Sequence, residues 1–317
     1  MCTAVSFTAG SHFFGRNLDL DRDYGEQVTV APRHIPLAGM EHHSGIIGMA
    51  TEIDGYPLFF EGTNEEGLSA AALNFPGNAV YYKAMEGKEN IQSYDFISYV
   101  LTRCRTCKDA KALLQNAVIC DSRFAKDLPT TPLHWLIADR EMALVAESTA
   151  EGLQLYENPI KVLTNNPPFP YHRDNLCRYM GLHNGQAENR LAPSLPLAAF
   201  SLGMGAVGLP GDFSSPSRFV RSAFVLHHSL PGEEMESVSR FFNILEVAMQ
   251  PEGCVTDGGK FQKTLYSCCC NTDKGIYYYC THGNRQITAV DMHKEDLEGN
   301  RLSLFPLVTK QQIRWEQ

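Results

Sequence analysis

What most restricts this chain is the order of its strand-like and helix-like segments, which come in blocks rather than in alternation. Residues 2–7 alternate and are rich in β-branched side chains; the turn Ala9-Gly10-Ser11 follows, and Phe13 to Asp19 reads as the returning strand of a hairpin. Further strands are predicted near 46–60 and over 67–76, where Pro76 closes the run. A helix pair comes next. Ser93 precedes the stripe Phe96, Ile97, Val100, Leu101, Cys104, and Thr106 with Asp109 forms a capping-box pattern before Ala110, Leu113, Leu114 and Ala117. Residues 120–130 have no period and read as a loop. Short strands at 132–138, 142–148, 153–156 and 161–164 make a meander. Asn165-Asn166-Pro167-Pro168 stops that run, 171–181 look helical, and 202–216 are loop. A second pair of helices is predicted: one from Ser215 as N-cap with Pro216 at the first helical position, the other through Met235, Val238, Phe241, Phe242 and Leu245. Strands near 263–270, 275–281, 286–292 and 302–306 complete the chain. Blocks of this kind specify a layered α+β sandwich with largely antiparallel sheets, not βαβ units. No repeat, linker or low-complexity segment divides residues 1–317, so one domain is expected.

Composition matters here for what it excludes. A net charge of −9 argues against a nucleic-acid partner, which needs a basic face. No apolar stretch approaches the roughly eighteen residues of a membrane span, and the start lacks a signal-peptide pattern, so a cytoplasmic location and no membrane partner are expected. Ten cysteines in a chain with this large a core are expected to be free thiols.

The chemistry points first to Met1-Cys2-Thr3. A small residue behind the initiator permits loss of Met1, and the mature chain would then carry a thiol and a free α-amine on one residue. Such groups titrate near about 8.5 and about 8, so the amine can serve as base for the thiol. Taken alone, a penultimate cysteine carries little weight. Other signals fail on context. Gly203-Met204-Gly205-Ala206-Val207-Gly208 matches a dinucleotide fingerprint, but Leu209-Pro210-Gly211 follows where a helix should start. Cys104 and Cys107 form an isolated C-x-x-C, Cys268-Cys269-Cys270 lie in a strand whose neighbours face opposite sides, and His42-His43 and His227-His228 lack ligand spacing, so neither metal nor cofactor is expected. There remain polar residues in apolar settings. Asn74 ends the run Ala70 to Leu73, Asn165 ends Val162-Leu163-Thr164, and Arg218 sits in the first turn of its helix, where the dipole disfavours a cation. Taken alone, each asparagine reads as a turn or cap. The hairpin brings Arg16 and Asp19 toward Cys2, although a straight strand points them to opposite faces.

On these residues the chain resembles the choloylglycine hydrolase family, the bile salt hydrolases and penicillin V acylases of the N-terminal nucleophile hydrolases. The resemblance is carried by Met1-Cys2-Thr3; Phe14-Gly15-Arg16-Asn17-Leu18-Asp19; Asn64-Glu65-Glu66-Gly67-Leu68 on to Leu73-Asn74-Phe75-Pro76-Gly77; Leu133-His134-Trp135; Leu163-Thr164-Asn165-Asn166-Pro167; and Gly208 to Phe219. It implies a four-layer αββα sandwich, two mainly antiparallel sheets between helix layers. It also implies a nucleophile at Cys2, groups that position and tune it at Arg16, Asp19 and Arg218, and an oxyanion-hole pair at Asn74 and Asn165.

The implied substrate is a conjugated bile acid, cleaved at its glycine or taurine amide through an acyl-enzyme that an amine can also intercept. Asparagine at 74 resembles the bile salt hydrolase branch; penicillin V acylase is the alternative. By looser matches Leu18, Ile53, Phe124, Leu128 and Leu133 are implied to line an apolar pocket, with core packing an equal reading for each. The family further implies a homotetramer.

Overall fold

The N-terminal alternation becomes a hairpin in the computed structural model, which describes residues 1–317. Strands β1 (Cys2–Ala9) and β2 (Ser11–Leu20) pair antiparallel in unbroken register from Ala9↔Ser11 to Cys2↔Leu18. Gly10 turns the chain at φ 74°, a backbone that a side chain would strain. Next come β3 (Gln27–Ala31), β4 (Ile46–Ile53), β5 (Tyr56–Asn64), β6 (Ser69–Asn74) and the short β7 (Glu89–Gln92). Helices α1 (Phe96–Arg103) and α2 (Cys107–Leu114) follow, the second opened by the expected Thr106–Asp109 capping box. After β8 (Ala117–Cys120), the expected meander is limited to β9 (Leu133–Ala138), β10 (Ala143–Thr149) and β11 (Gly152–Glu157), because β12 (Val162–Leu163) leaves it to pair with β1 in the other sheet. Helices α3 (Phe169–Leu176), α4 (Ser215–His228) and α5 (Glu234–Glu246) precede β13 (Val255–Asp257), β14 (Lys260–Asn271), β15 (Ile276–Thr281), β16 (Thr288–Asp291) and β17 (Ser303–Pro306).

Two antiparallel sheets result. One is ordered β12-β1-β2-β14-β15-β16 with β13 beside β14, and the other β11-β10-β9-β6-β5-β4-β3-β17. Helices α1 and α2 cover the outer face of the second sheet, and α3 to α5 that of the first, giving four αββα layers. Both faces of each sheet are therefore buried, which explains runs with little polar alternation. In β6, Ala70 and Ala72 pack toward α1 while Ala71 and Leu73 enter the core between the sheets; β10 sorts Leu144 and Ala146 from Val145 in the same way.

The structure corrects the sequence reading in places. β3, β13 and the parallel pair β7–β8 were not expected, and the N-cap of α4 is Ser214, whose hydroxyl accepts from the Ser217 amide; Ser215 and Pro216 open the helix itself. The glycine run 203–208 forms only a 3-10 turn at Met204–Ala206, with no helix after it. No helix is long and apolar enough to cross a membrane, and all ten cysteines are free thiols.

Candidate active site

Cys2 starts β1 at one end of the sandwich, 2% exposed. Strand register places its side chain with those of Ala4, Arg16 and Leu18 on the face toward the second sheet, and Thr3, Asn17 and Asp19 on the face toward α4 and α5. The conflict over Arg16 and Asp19 therefore disappears without a bend. Each approaches Cys2 from its own side of β2.

On the helix side, Arg218 occupies the first turns of α4 and is fully buried. Its Nη1 donates to the Cys2 carbonyl at 2.5 Å and to Thr3 Oγ1 at 2.6 Å, Nη2 donates to Asn165 Oδ1 at 2.7 Å, and Nε donates to the Phe213 carbonyl at 3.2 Å. Asp19 Oδ2 lies 3.9 Å from Arg218 Nη1, both side chains being inaccessible, and Oδ1 accepts from Thr264 Oγ1 at 2.6 Å. Thus the cation that the helix dipole disfavours has its counter-charge in the first sheet. Burial drives the Asp19 carboxyl above its ordinary range and the Arg218 guanidinium below its own, and in both cases the partner opposes the drift. Each needs the other's charge to stay ionised. Asp19 Oδ2 has no hydrogen-bond partner. The Met1 ammonium donates instead to the Asp19 carbonyl at 2.6 Å.

Asn165 follows β12 and touches three of these groups. Its Oδ1 accepts from the Cys2 amide at 2.7 Å as well as from Arg218, and its Nδ2 donates to the Asn74 carbonyl at 2.7 Å. Its own backbone is pinned: the N–H donates to Ser215 Oγ at 2.8 Å and the carbonyl accepts from His172 Nε2 at 2.7 Å. Desolvation holds His172 down at about 4, so the ring is neutral, with Nδ1 buried and unpartnered. A second buried pair, His134 Nδ1 with Glu147 Oε1 at 3.0 Å, secures the preceding residue through the contact of His134 Nε2 with the Thr164 carbonyl at 2.8 Å. Asn74 ends β6, half-buried, and its side-chain amide bonds to no other protein group.

On the sheet-to-sheet side, Arg16 Nη1 donates to the carbonyls of Ala72 at 2.5 Å and Phe60 at 3.2 Å. Burial alone would lower this guanidinium, but the charges of Cys2, Tyr266 and Glu61 outweigh it and hold the group above its usual value.

The structure therefore brings together Cys2, Arg16, Asp19, Asn165 and Arg218, with Asn74 at their edge. Of the five pocket candidates, Leu18 is the buried cross-strand partner of Cys2, and Leu133 pairs with Asn74. Ile53 pairs with Tyr56, on which Phe124 packs at 5.4 Å between centroids. Leu128 lies exposed in the 121–132 loop. Sequence reasoning missed Glu61, Thr264, His172 and the Glu147 partner of His134. A carboxylate within the apolar run Leu58 to Gly62 was the one available signal.

Comparisons with known proteins give the family and the fold. The family model for linear amide C–N hydrolases, choloylglycine hydrolase family, matches residues 2–305. The chain is 42% identical to the bile salt hydrolase/transferase of Lactiplantibacillus plantarum, over 98% of both chains. Its fold matches the solved structure of the C2A mutant of the conjugated bile acid hydrolase from Clostridium perfringens with a TM-score of 0.92, at 35% identity and with 100% of each chain covered. The penicillin V acylase from Agrobacterium tumefaciens shares the fold, with a TM-score of 0.74 at 18% identity over 98% of this chain and 94% of that one.

Proposed function

Because the chain belongs to the choloylglycine hydrolase family of linear amide C–N hydrolases, we propose that it is a bile salt hydrolase, cleaving the amide between a bile acid and glycine or taurine. The observation that carries this reading is the convergence of Asn165, Arg218, Asp19 and Arg16 on Cys2, at an end of the sandwich lined by Leu18 and Leu133.

Met1 is removed in the mature enzyme. The amine so created belongs to Cys2, and the unpartnered Asp19 Oδ2 and the Asn165 Oδ1 are the acceptors that hold it. That amine takes the thiol proton, and the thiolate attacks the amide carbon, forming a C–S bond and an oxyanion. The side-chain amide of Asn74 and the second N–H of Asn165 receive the oxyanion; preorganised donors of this kind contribute about 3 kcal/mol each. Collapse breaks the C–N bond, and the proton held by the amine leaves on the glycine or taurine nitrogen. Water then releases the bile acid from sulfur and returns a proton to the amine. A free amino acid taking the place of water would give a new conjugate, and no such conjugate at high amino-acid concentration would rule out this transfer activity.

The enzyme works in the cytoplasm as a homotetramer. The arm of residues 180–211 supports the assembly, exposing Leu191, Phe200 and Leu202 at 85–89%. Sedimentation of native protein against a Phe200→Ser, Leu202→Ser variant tests it.

The chemistry is tested by intact mass before and after glycocholate, then iodoacetamide. We expect mass without Met1 and one fast-reacting thiol, Cys2, protected by substrate. Retained Met1 in an active protein would remove the amine from the mechanism. Faster cleavage of phenoxyacetyl penicillin than of glycocholate would assign a penicillin V acylase instead.

A further inference from the structure

Glu61 lies in the middle of β5, fully buried between the two sheets. An apolar residue of similar volume would sit there at lower cost, because a buried carboxylate must recover several kcal/mol of lost hydration. Burial pushes its carboxyl above the ordinary range, and Arg16, Tyr277, Tyr266 and Cys268 pull it back toward the charged form. Oε2 accepts from Tyr266 OH at 2.8 Å, and Oε1 accepts from Tyr277 OH at 2.6 Å and from the Cys268 thiol at 3.5 Å. Arg16 Nη1 is 3.7 Å from Oε2. A β-bulge aims this group: Met49 pairs with Glu61 and Ala50 with Phe59, so Phe60 is the extra residue. As a result the Phe60 carbonyl and the Glu61 carboxylate both reach Arg16. The other arm of the guanidinium, Nη2, is buried and bonds to nothing in the protein.

We propose that Glu61 is a positioning residue for Cys2 that acts through Arg16, anchoring the guanidinium from behind and sharing its positive charge with the thiolate. The proposal rests on the reading of Cys2 as nucleophile. Glu61 is faced by Arg16 from β2, by Tyr266 and Cys268 from β14 and by Tyr277 from β15. Around Cys2 stand Arg16, Asp19, Arg218 and the Asn165 amide. Glu61 holds its place beside Arg16 whatever the state of the Cys2 thiol. Removing its charge leaves the Cys2 thiolate as the main counter-ion of a buried cation, which favours ionisation of the thiol.

The test is the pH dependence of Cys2 alkylation by iodoacetamide in the full-length enzyme, read by peptide mass, alongside kcat and KM on glycocholate. In native protein, alkylation of Cys2 must abolish hydrolysis; if it does not, the nucleophile assignment fails and Glu61 is not at issue. Given that result, Glu61→Gln is expected to move the alkylation midpoint down by about one pH unit. It should lower kcat about tenfold or more with KM little changed, because the loosened guanidinium no longer orients the thiolate. Tyr277→Phe removes one hydrogen bond that favours the charged carboxylate, so it should move the midpoint the same way by less, and it serves if the first variant does not fold. A midpoint that stays or rises in the folded variants, or a native kcat, would overturn the proposal. A purely structural role would lower the melting temperature and leave the midpoint where it was.

Discussion

Where α1 and α2 cover the second sheet, Phe96 stacks on Trp135 at 4.0 Å in a mainly apolar layer whose polar groups, such as Asn64 donating to the Leu101 and Cys104 carbonyls, serve the helix ends. Where α3 to α5 cover the first sheet, Arg218 and Asp19 are buried beside the chain start and His172 stacks on Phe219 at 4.8 Å. Both layers obey the same packing rule, an apolar helix stripe on an apolar sheet face. One is used to hold the sandwich together, and the other carries charges that cost stability and organise Cys2. The difference teaches that the reactive end was built by replacing core residues with mutually dependent ions, not by adding a loop to a finished core.

The comparison breaks first at Arg218. Arg218→Ala should abolish measurable hydrolysis and cost roughly 3–5 kcal/mol, because it leaves Asp19 buried without its partner; urea unfolding and kcat/KM on glycocholate measure both. Phe96→Ala in the opposite layer should cost a similar 3–5 kcal/mol by cavity formation, yet leave kcat per folded molecule unchanged. Equal losses of kcat in the two variants would erase the distinction.

Acid sharpens it further. Burial holds His12 and His172, both on the first-sheet side, down at about 4. Their neutral forms therefore contribute stability that is complete above about 6.5 and lost as pH falls to about 4, roughly 3 kcal/mol each. Burial lifts Asp95, under α1, to about 6 against its hydrogen bond from Tyr56, so its share is present below about 4 and lost as pH rises through 6. Unfolding free energies of His12→Gln and Asp95→Asn, each subtracted from native, should thus slope in opposite directions between pH 4 and 6.5. Smallest is the helix cap: Thr106→Ala should cost about 1 kcal/mol and leave activity untouched.

Legibility in the sequence followed local signal strength. Helix stripes, the capping box and the hairpin were readable because period and turn chemistry are local. β3 was missed because Gln27–Ala31 gains its pairing from β4 and from β17, near the far end of the chain. Ser214 and Ser215 are interchangeable as caps until the backbone of α4 chooses between them. Asn74 and Asn165 could be proposed as site residues because each is polar in an apolar run, and Arg16 and Asp19 because the hairpin returns them toward Cys2, but which neighbour each would bond was not legible. Glu61 bears the same mark and was passed over, since nothing in its own strand says that Arg16 lies opposite.

By itself the sequence determined the layered α+β class, the helix stripes, and a cysteine placed where loss of one residue frees its amine. Those follow from periodicity and position, which need no partner. Tertiary structure decided which face of β2 meets which ion, that Asn165 links Cys2 to both Arg218 and Asn74, and that a bulge in β5 turns Glu61 toward Arg16. The physical reason is that charge pairing inside a protein depends on distances of about 4 Å between residues tens to hundreds of positions apart. Only the packed sheets set those distances.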